Sequence, residues 1–199
     1  HWDHTGANLE LKSRYGCTII GAASDAARIP GIDMQADEDT AVQLDGLTAD
    51  VLSVPGHTRG HIAFVMTGAL FCGDTLFAGG CGRLFEGTPE QMWQSLQKLA
   101  ALPGNTKVYC AHEYTLPNLR FARSVDPDNA ALETRIHRDT QTRMEQKPTV
   151  PSDIVEERTT NPFLRPLDRD FCASYAKQHA IDPDPVRVFA HLRAGKDRW

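Results

Sequence analysis

The chain has 199 residues, of which 41% are hydrophobic and 24% charged, a balance typical of a soluble globular protein. No run approaches the ~18 apolar residues that a membrane-spanning helix needs. The net charge of −5 argues against broad binding to nucleic acid or to an anionic membrane. The five cysteines are scattered and form no CxxC pair, which disfavours a disulfide framework and favours a reducing, cytoplasmic location.

Short apolar runs bounded by turn residues predict buried strands along the first half of the chain. These predicted strands cover residues 17–22, 51–54, 61–66, 69–72 and 107–111. A helix is predicted before the last strand, because Thr88 can cap it, Pro89 suits its first position and Gln91 completes a capping box. Apolar residues then recur at helical spacing until Pro103.

The pattern changes after residue 112. Helix-like stretches follow, with breaks near 126–127, 147–151 and 182–185, and no convincing strand is found among them. We therefore predict an α/β catalytic domain over 1–113 and an all-α domain over 114–199.

Potential metal ligands occur at the ends of three predicted strands. His57, Asp74 and His112 each follow an apolar run, and α/β sheets gather ligand-binding residues at the carboxyl edge. The chain also opens with three donors of the kind that zinc and iron accept, His1, Asp3 and His4. A single polar residue at a loop start is usually just hydrogen-bonded, and a histidine-rich terminus is often disordered. The whole set, however, predicts a metal site. The other histidines, His61, His137, His179 and His191, fit no ligand pattern and are predicted to be ordinary structural or surface residues.

This order of donors resembles the metallo-β-lactamase superfamily, whose opening motif is Thr-His-x-His-x-Asp-His. The resemblance implies an αββα sandwich with two divalent metal ions, zinc first and iron or manganese as alternatives. It assigns His1 and His57 to the first metal, Asp3, His4 and His112 to the second, and Asp74 to both. The first histidine of the motif and the strands before it are absent, so we expect the N-terminal part of the catalytic domain to be missing.

Longer stretches of the sequence indicate which family within this superfamily the chain resembles. Residues 74–77 (DTLF), 80–87 (GCGRLFEG), 112–115 (HEYT), 161–165 (NPFLR) and 193–197 (RAGKD) resemble glyoxalase II, the hydroxyacylglutathione hydrolases. The resemblance extends along the chain and implies hydrolysis of S-(2-hydroxyacyl)glutathione, such as S-D-lactoylglutathione to D-lactate and glutathione, in methylglyoxal detoxification. Asp3 and Asp74 would be the catalytic carboxylates, acting with a metal-bound hydroxide.

The same resemblance assigns glutathione binding to Arg83, Tyr114, Arg193 and Lys196. A cationic patch of this kind is what an acidic protein needs to bind the two carboxylates of glutathione. Arg193 and Lys196 also lie near the end of a predicted helix, where cations favour the helix dipole irrespective of function. The family often has Lys where Arg83 stands and Tyr where Phe85 stands, so Phe85 is assigned only to the pocket wall.

Two alternatives stay open. A glutathione-persulfide dioxygenase of the same fold would use one iron held by two histidines and one aspartate, and the complete second set of donors favours hydrolysis instead. A non-catalytic module would bind glutathione without turnover. For the hydrolase we expect a cytoplasmic monomer whose partner is a small glutathione thioester and not nucleic acid or a membrane.

Overall fold

The computed structural model describes residues 1–38, 40–44 and 46–199. Its strands are β1 (Ile20–Ala22), β2 (Met34–Ala36), β3 (Ala41–Leu44), β4 (Leu47–Ser53), β5 (Ile62–Met66), β6 (Ala69–Gly73), β7 (Leu76–Phe77), β8 (Gly80–Cys81), β9 (Lys107–Cys110) and β10 (Ser152–Asp153). Its α-helices are α1 (Trp2–Thr5), α2 (Asn8–Tyr15), α3 (Pro89–Ala100), α4 (Thr115–Val125), α5 (Ala130–Met144), α6 (Ile154–Thr160), α7 (Arg169–His179) and α8 (Pro185–Arg198). None of the helices in the described ranges is both long and apolar enough to span a bilayer.

Six strands form a mixed sheet in the order β10-β9-β6-β5-β4-β3. Strands β6 and β9 run parallel, and the other neighbours run antiparallel. The alternation along β6 sets its two faces, because Leu70 and Cys72 are fully buried while Phe71 between them is exposed. Two smaller sheets accompany it, the parallel pair β1–β2 and the antiparallel hairpin β7–β8.

The strand predictions are confirmed for β4, β5, β6 and β9. The first predicted strand, 17–22, is wrong over its first half, since only Ile20–Ala22 enters a sheet. Asp33 accounts for this difference. Its carboxylate accepts the Ile19 N–H at 2.9 Å, and its own N–H donates to the Ile19 carbonyl at 2.8 Å, so this backbone is held by a local loop contact.

Helix α3 begins as the sequence predicts. The Thr88 hydroxyl accepts the Gln91 N–H at 3.3 Å, and the Gln91 side chain accepts the Thr88 N–H at 3.0 Å. Such an N-cap contributes about 1 kcal/mol to helix stability. The buried face of the helix packs on the six-stranded sheet through Met92, Leu96 and Leu99.

The chain after residue 113 is helical, as predicted, with one correction. Ser152 and Asp153 form β10, which pairs antiparallel with β9 and extends the sheet at that edge. A two-residue strand of Ser and Asp carries no alternating apolar signal, so its pairing depends on tertiary contacts rather than on local sequence.

The sheet, α3 and the later helices share one hydrophobic core. Its buried residues include Leu70 and Val108 from the sheet, Leu96 from α3, and Phe163 and Phe189 from the helical region. The six-stranded sheet is thus covered on this face by α3 and by the helices after residue 113.

A buried ionic network supports the helical region. Arg135 is 2% exposed and Glu157 is fully buried. The Arg135 guanidinium donates to Glu157 at 2.7 Å, to the Thr160 hydroxyl at 2.7 Å and to Asp139 at 3.3 Å. Because buried charges need partners, this arginine is the counterion on which Glu157 depends, whereas Asp139 also pairs with Arg138 at 2.7 Å.

We predict that Arg135→Met lowers the free energy of unfolding by about 3–5 kcal/mol, because it leaves the buried Glu157 carboxylate without its counterion. Arg123→Met is the matched control, since Arg123 forms an exposed ion pair with Glu133 and its loss should cost no more than about 1 kcal/mol. Urea denaturation of both variants measures the difference. Equal losses would contradict the role given to Arg135.

Candidate metal centre and substrate cleft

The sheet topology brings the donors at the strand ends together. Strands β4 and β6 are both antiparallel to β5, so they run in the same direction, and β9 is parallel to β6. Their carboxyl ends therefore lie at one edge of the sheet, where His57, Asp74 and His112 follow them. Helix α1 lies at the same edge and adds the donors of residues 1–4.

The six predicted donors form two clusters that share one carboxylate. His1, His57 and Asp74 form the first cluster, and Asp3, His4, His112 and Asp74 form the second. Within each cluster the ligand atoms lie within 4.8 Å of one another. The grouping matches the division between two metals that the sequence resemblance implies.

Asp74 is the buried centre of both clusters. Its Oδ2 lies 3.0 Å from His4 Nε2 and 3.2 Å from His57 Nε2. Burial raises the pKa of Asp74, but the neighbouring imidazoles, with the His57 hydrogen bond foremost, outweigh burial and hold the pKa at about 2. Asp74 is therefore an anion throughout the physiological range.

Two observations show that the donors suit cations. Asp74 Oδ1 is buried and makes no hydrogen bond to any described residue, with His112 Nε2 at 3.4 Å. His57 Nδ1 donates to the Arg83 carbonyl at 2.9 Å, so Nε2 is the ring nitrogen that faces the cluster, 3.2 Å from both His1 Nδ1 and Asp74 Oδ2. A ligating histidine commonly donates its second ring nitrogen to a carbonyl in this way. The fold and this donor set indicate divalent metal ions.

His61 lies against the metal centre, although it was predicted to be an ordinary structural or surface residue. Its Nε2 accepts the Asp74 backbone N–H at 3.1 Å, and burial lowers the pKa of His61, which favours the neutral ring. His61 immediately precedes β5, the antiparallel neighbour of β6, so its place next to the end of β6 follows from the pairing. A strand assignment with the correct pairing was the signal that could have revealed it.

Gly82 packs closely against the backbone of Asp74, on the side away from His61. A Cβ at this position would overlap the Asp74 carbonyl oxygen and lie 3.1 Å from His57 Nδ1. The segment after β8 therefore packs directly on the metal centre, and only glycine leaves the necessary space.

The predicted substrate residues line the same cleft as the donors. This cleft has a volume of about 430 Å³, and Arg83, Tyr114, Arg193 and Lys196 all contribute to its wall. Phe85 lines it as well, in agreement with the role in the pocket wall given to it from the sequence. Tyr114 stacks on His112 with ring centroids 5.0 Å apart, so the cationic wall and the metal centre are adjacent.

The four substrate residues differ in how free their side chains are. Arg83 is exposed, whereas Arg193 is 4% exposed and donates to the Cys81 carbonyl and to Asp197, both at 2.9 Å. Lys196 donates to the Pro117 carbonyl at 3.1 Å. Arg193 is thus held in the cleft wall by bonds from both of its terminal nitrogens, whereas the charges of Arg83 and Lys196 are more accessible.

The comparisons with known proteins agree with this geometry. The family described as "Metallo-beta-lactamase superfamily" matches residues 1–112, and "Hydroxyacylglutathione hydrolase C-terminus" matches residues 113–199. A hydroxyacylglutathione hydrolase of Methylococcus capsulatus is 53% identical over 99% of this chain and 77% of its own length. A protein of the same name from Pseudomonas aeruginosa is 49% identical over 100% of this chain and 78% of its own length.

Solved structures show the same fold. The crystal structure of ETHE1 from Myxococcus xanthus superposes with a TM-score of 0.62 at 25% identity, covering 98% of this chain and 72% of that one. The structure of TTHA1623 in a di-iron-bound form gives a TM-score of 0.54 at 26% identity, covering 82% of this chain and 73% of that one.

The fold and the paired donor clusters define a metallo-β-lactamase superfamily protein, which confirms the predicted fold. Within that superfamily, the chain belongs to the hydroxyacylglutathione hydrolase family, also called glyoxalase II.

We predict that Gly82→Ala weakens metal binding by about tenfold or more, because the added methyl group displaces the backbone of Asp74. Gly104→Ala is the control, since its Cβ would meet only Val155 at an ordinary 3.5 Å. Metal content after dialysis against graded chelator measures the effect. Retention of metal by Gly82→Ala at the control level would show that the close packing is not needed.

Proposed function

We propose that this protein hydrolyses S-(2-hydroxyacyl)glutathione thioesters, with S-D-lactoylglutathione giving D-lactate and glutathione. The observation that carries the proposal is a single cleft lined by donors of both clusters and by a cationic wall. The relatives that match along the whole chain are named for this activity.

We further propose that two divalent metals bind, the first to His1, His57 and Asp74, the second to Asp3, His4, His112 and Asp74. Zinc suits a site of imidazoles and carboxylates, and iron and manganese are alternatives that accept the same ligands. The di-iron form of TTHA1623 supports a pair of metals in this fold. Bound metals supply Lewis acidity and activate water near neutral pH.

The side chains of the protein hold and orient the reacting groups. Asp74 contributes a fixed anion beneath the centre, since its pKa is about 2. Asp3 is the more exposed carboxylate, with its Oδ2 3.2 Å from His112 Nε2, and is placed to orient an attacking water by a hydrogen bond. The leaving group is a thiolate whose conjugate acid has a pKa of roughly 8.5, so it departs without a strong general acid.

The cationic wall supplies the side chains that bind the glutathione moiety of the substrate. Arg83 and Lys196 are assigned to its carboxylates, and the exposed Tyr114 hydroxyl to a hydrogen bond. Arg193 contributes positive charge from within the wall. In this proposal residues 1–113 form the catalytic domain and 114–199 supply glutathione recognition, in a cytoplasmic monomer that acts on a small molecule rather than on nucleic acid or a membrane.

The dioxygenase alternative is less well supported. The family match and relatives at about half identity carry the hydrolase name. Asp3, His4 and His112 also make a second cluster that a single-metal enzyme has no need of. A binding module without turnover would not need either cluster.

The first test is hydrolysis of S-D-lactoylglutathione by the purified protein, with the metals counted on the same sample. We expect thioester loss and release of free thiol with about two metals per chain. Asp74→Asn should lose metal and activity together, whereas His137→Ala, at an exposed histidine outside both clusters, should retain both. Absence of turnover with a filled site, together with oxygen consumption on glutathione persulfide, would establish the dioxygenase instead.

The pH dependence of substrate binding should follow Lys196. Burial, and the nearby charges of arginines 193, 120 and 83, hold the pKa of Lys196 at about 8. The ammonium is present below this value and is lost as the pH rises through it. The KM for the anionic thioester should therefore rise severalfold between about pH 7 and about pH 9.

Lys196→Arg is the matched variant for this prediction, because a guanidinium stays charged up to about pH 12. Its KM should stay flat over the same range after correction for spontaneous hydrolysis. The same rise in both proteins would assign the pH dependence to another group.

A further inference from the structure

The turn formed by residues 77–80, which joins β7 to β8, is bonded by three side chains of the helical region as well as by the pairing of the two strands. We call these four residues the clamped turn. Their sequence is Phe-Ala-Gly-Gly, which contributes no polar side chain of its own. Their backbone groups are nevertheless buried, and buried backbone polar groups require partners.

Asn161 provides the largest share of these bonds. Its side-chain amide donates to the Gly80 carbonyl at 2.9 Å and to the Phe77 carbonyl at 3.2 Å. The same amide lies 2.9 Å from Glu157 Oε2, and Asn161 itself is fully buried. The NPFLR string, which has no place in either donor cluster, thus acts on the turn through its first residue.

Two further side chains form hydrogen bonds with the clamped turn. Glu157 Oε2 accepts the Gly79 N–H at 2.9 Å, and the Asn118 amide donates to the Ala78 carbonyl at 3.1 Å. Space around the turn is tight, because a Cβ at Gly80 would lie 2.5 Å from Asn118 Nδ2. Helix α4, helix α6 and the residue after α6 therefore each contribute to the shape of the turn.

The two ends of the clamped turn lead to different metal clusters. On one side, the Phe77 ring lies with its centroid 6.0 Å from that of His112 and 5.5 Å from that of Tyr114. On the other side, the chain continues through Gly82 to Arg83, whose carbonyl accepts the proton of His57 Nδ1 at 2.9 Å. A shift of the turn would move both contacts.

We propose that Asn161 is a positioning residue for the metal centre. By fixing the clamped turn it sets the orientation of His57 through the Arg83 carbonyl, and of His112 through the Phe77 ring. Asn118 acts in the same way with a single bond. The inference rests on the proposed function only in taking His57 and His112 as metal ligands.

The test compares Asn161→Ala and Asn118→Ala with Ile154→Ala. Ile154 is a fully buried core residue on the same helix as Glu157, so its truncation destabilises α6 without removing a bond to the turn. Zn²⁺ affinity is measured on folded protein by competition with a chromophoric chelator. The visible spectrum of Co²⁺-loaded protein reports the ligand geometry.

We expect Asn161→Ala to weaken Zn²⁺ binding by about tenfold or more and to change the Co²⁺ spectrum. Asn118→Ala should show a smaller loss in the same direction. Ile154→Ala should lower the melting temperature but keep the Zn²⁺ affinity and the spectrum of the unmodified protein. If Asn161→Ala matches Ile154→Ala in both metal readouts, its role is structural only and the proposal is overturned.

If Asn161→Ala does not fold, Asn118→Ala decides alone, because it removes one bond from the turn and leaves Glu157 paired. The metal readouts do not depend on thioester turnover. Failure of the unmodified protein to hydrolyse S-D-lactoylglutathione therefore removes the proposed function without affecting this test.

Discussion

The charge of Asp74 is the constraint around which the site is organised. A carboxylate that is 5% exposed would lose several kcal/mol of solvation if it were left alone. The surrounding imidazoles offset that loss, and they hold its pKa at about 2 in spite of burial. The backbone of the same residue is fixed by His61 on one side and by the close approach of Gly82 on the other. Charge and position are therefore secured by separate groups.

The convergence of donors from distant parts of the sequence follows from strand direction. Three strands that run the same way deliver His57, Asp74 and His112 to one edge, although up to 55 positions separate them in the chain. The helices after residue 113 then bring Arg193 and Lys196 to the cleft wall beside the metal centre, and they shape the turn that joins β7 to β8. The metal centre and the cationic wall are thus products of one packing arrangement.

His57, Asp74 and His112 were predictable from the sequence because each stands at the end of an apolar run. The strands that carry them were predictable for the same reason. His1, Asp3 and His4 were predictable only because the order of all six donors resembles a known family. Strand β10 was not predictable, because Ser152 and Asp153 have no apolar pattern and form a strand only by pairing with β9 at the edge of the sheet. The burial of Arg193 was not predictable either, because the sequence does not show that its guanidinium donates hydrogen bonds to the Cys81 carbonyl and to Asp197.

The residues that position the metal donors without binding metal could not be predicted from the sequence. His61 and Asn161 act through hydrogen bonds to the backbone of segments far away in the sequence, and no local pattern encodes such a bond. Asn161 stands in a string that resembles the family, but the string alone does not show what its side chain contacts. Strand pairing would have placed His61, whereas the bonds of Asn161 require the packed helices.

The hydrophobic core that passes from the sheet into the later helices has a consequence for protein engineering. Because Phe163 and Phe189 pack in the same cluster as Leu70 and Leu96, the two halves recognised as separate families are not independent building blocks. A chimaera that joins this α/β half to the helical half of a relative would have to match the buried surfaces as well as the glutathione contacts. Evolution of new thioester specificity in this lineage is therefore expected through single changes in the cleft wall rather than through exchange of whole halves.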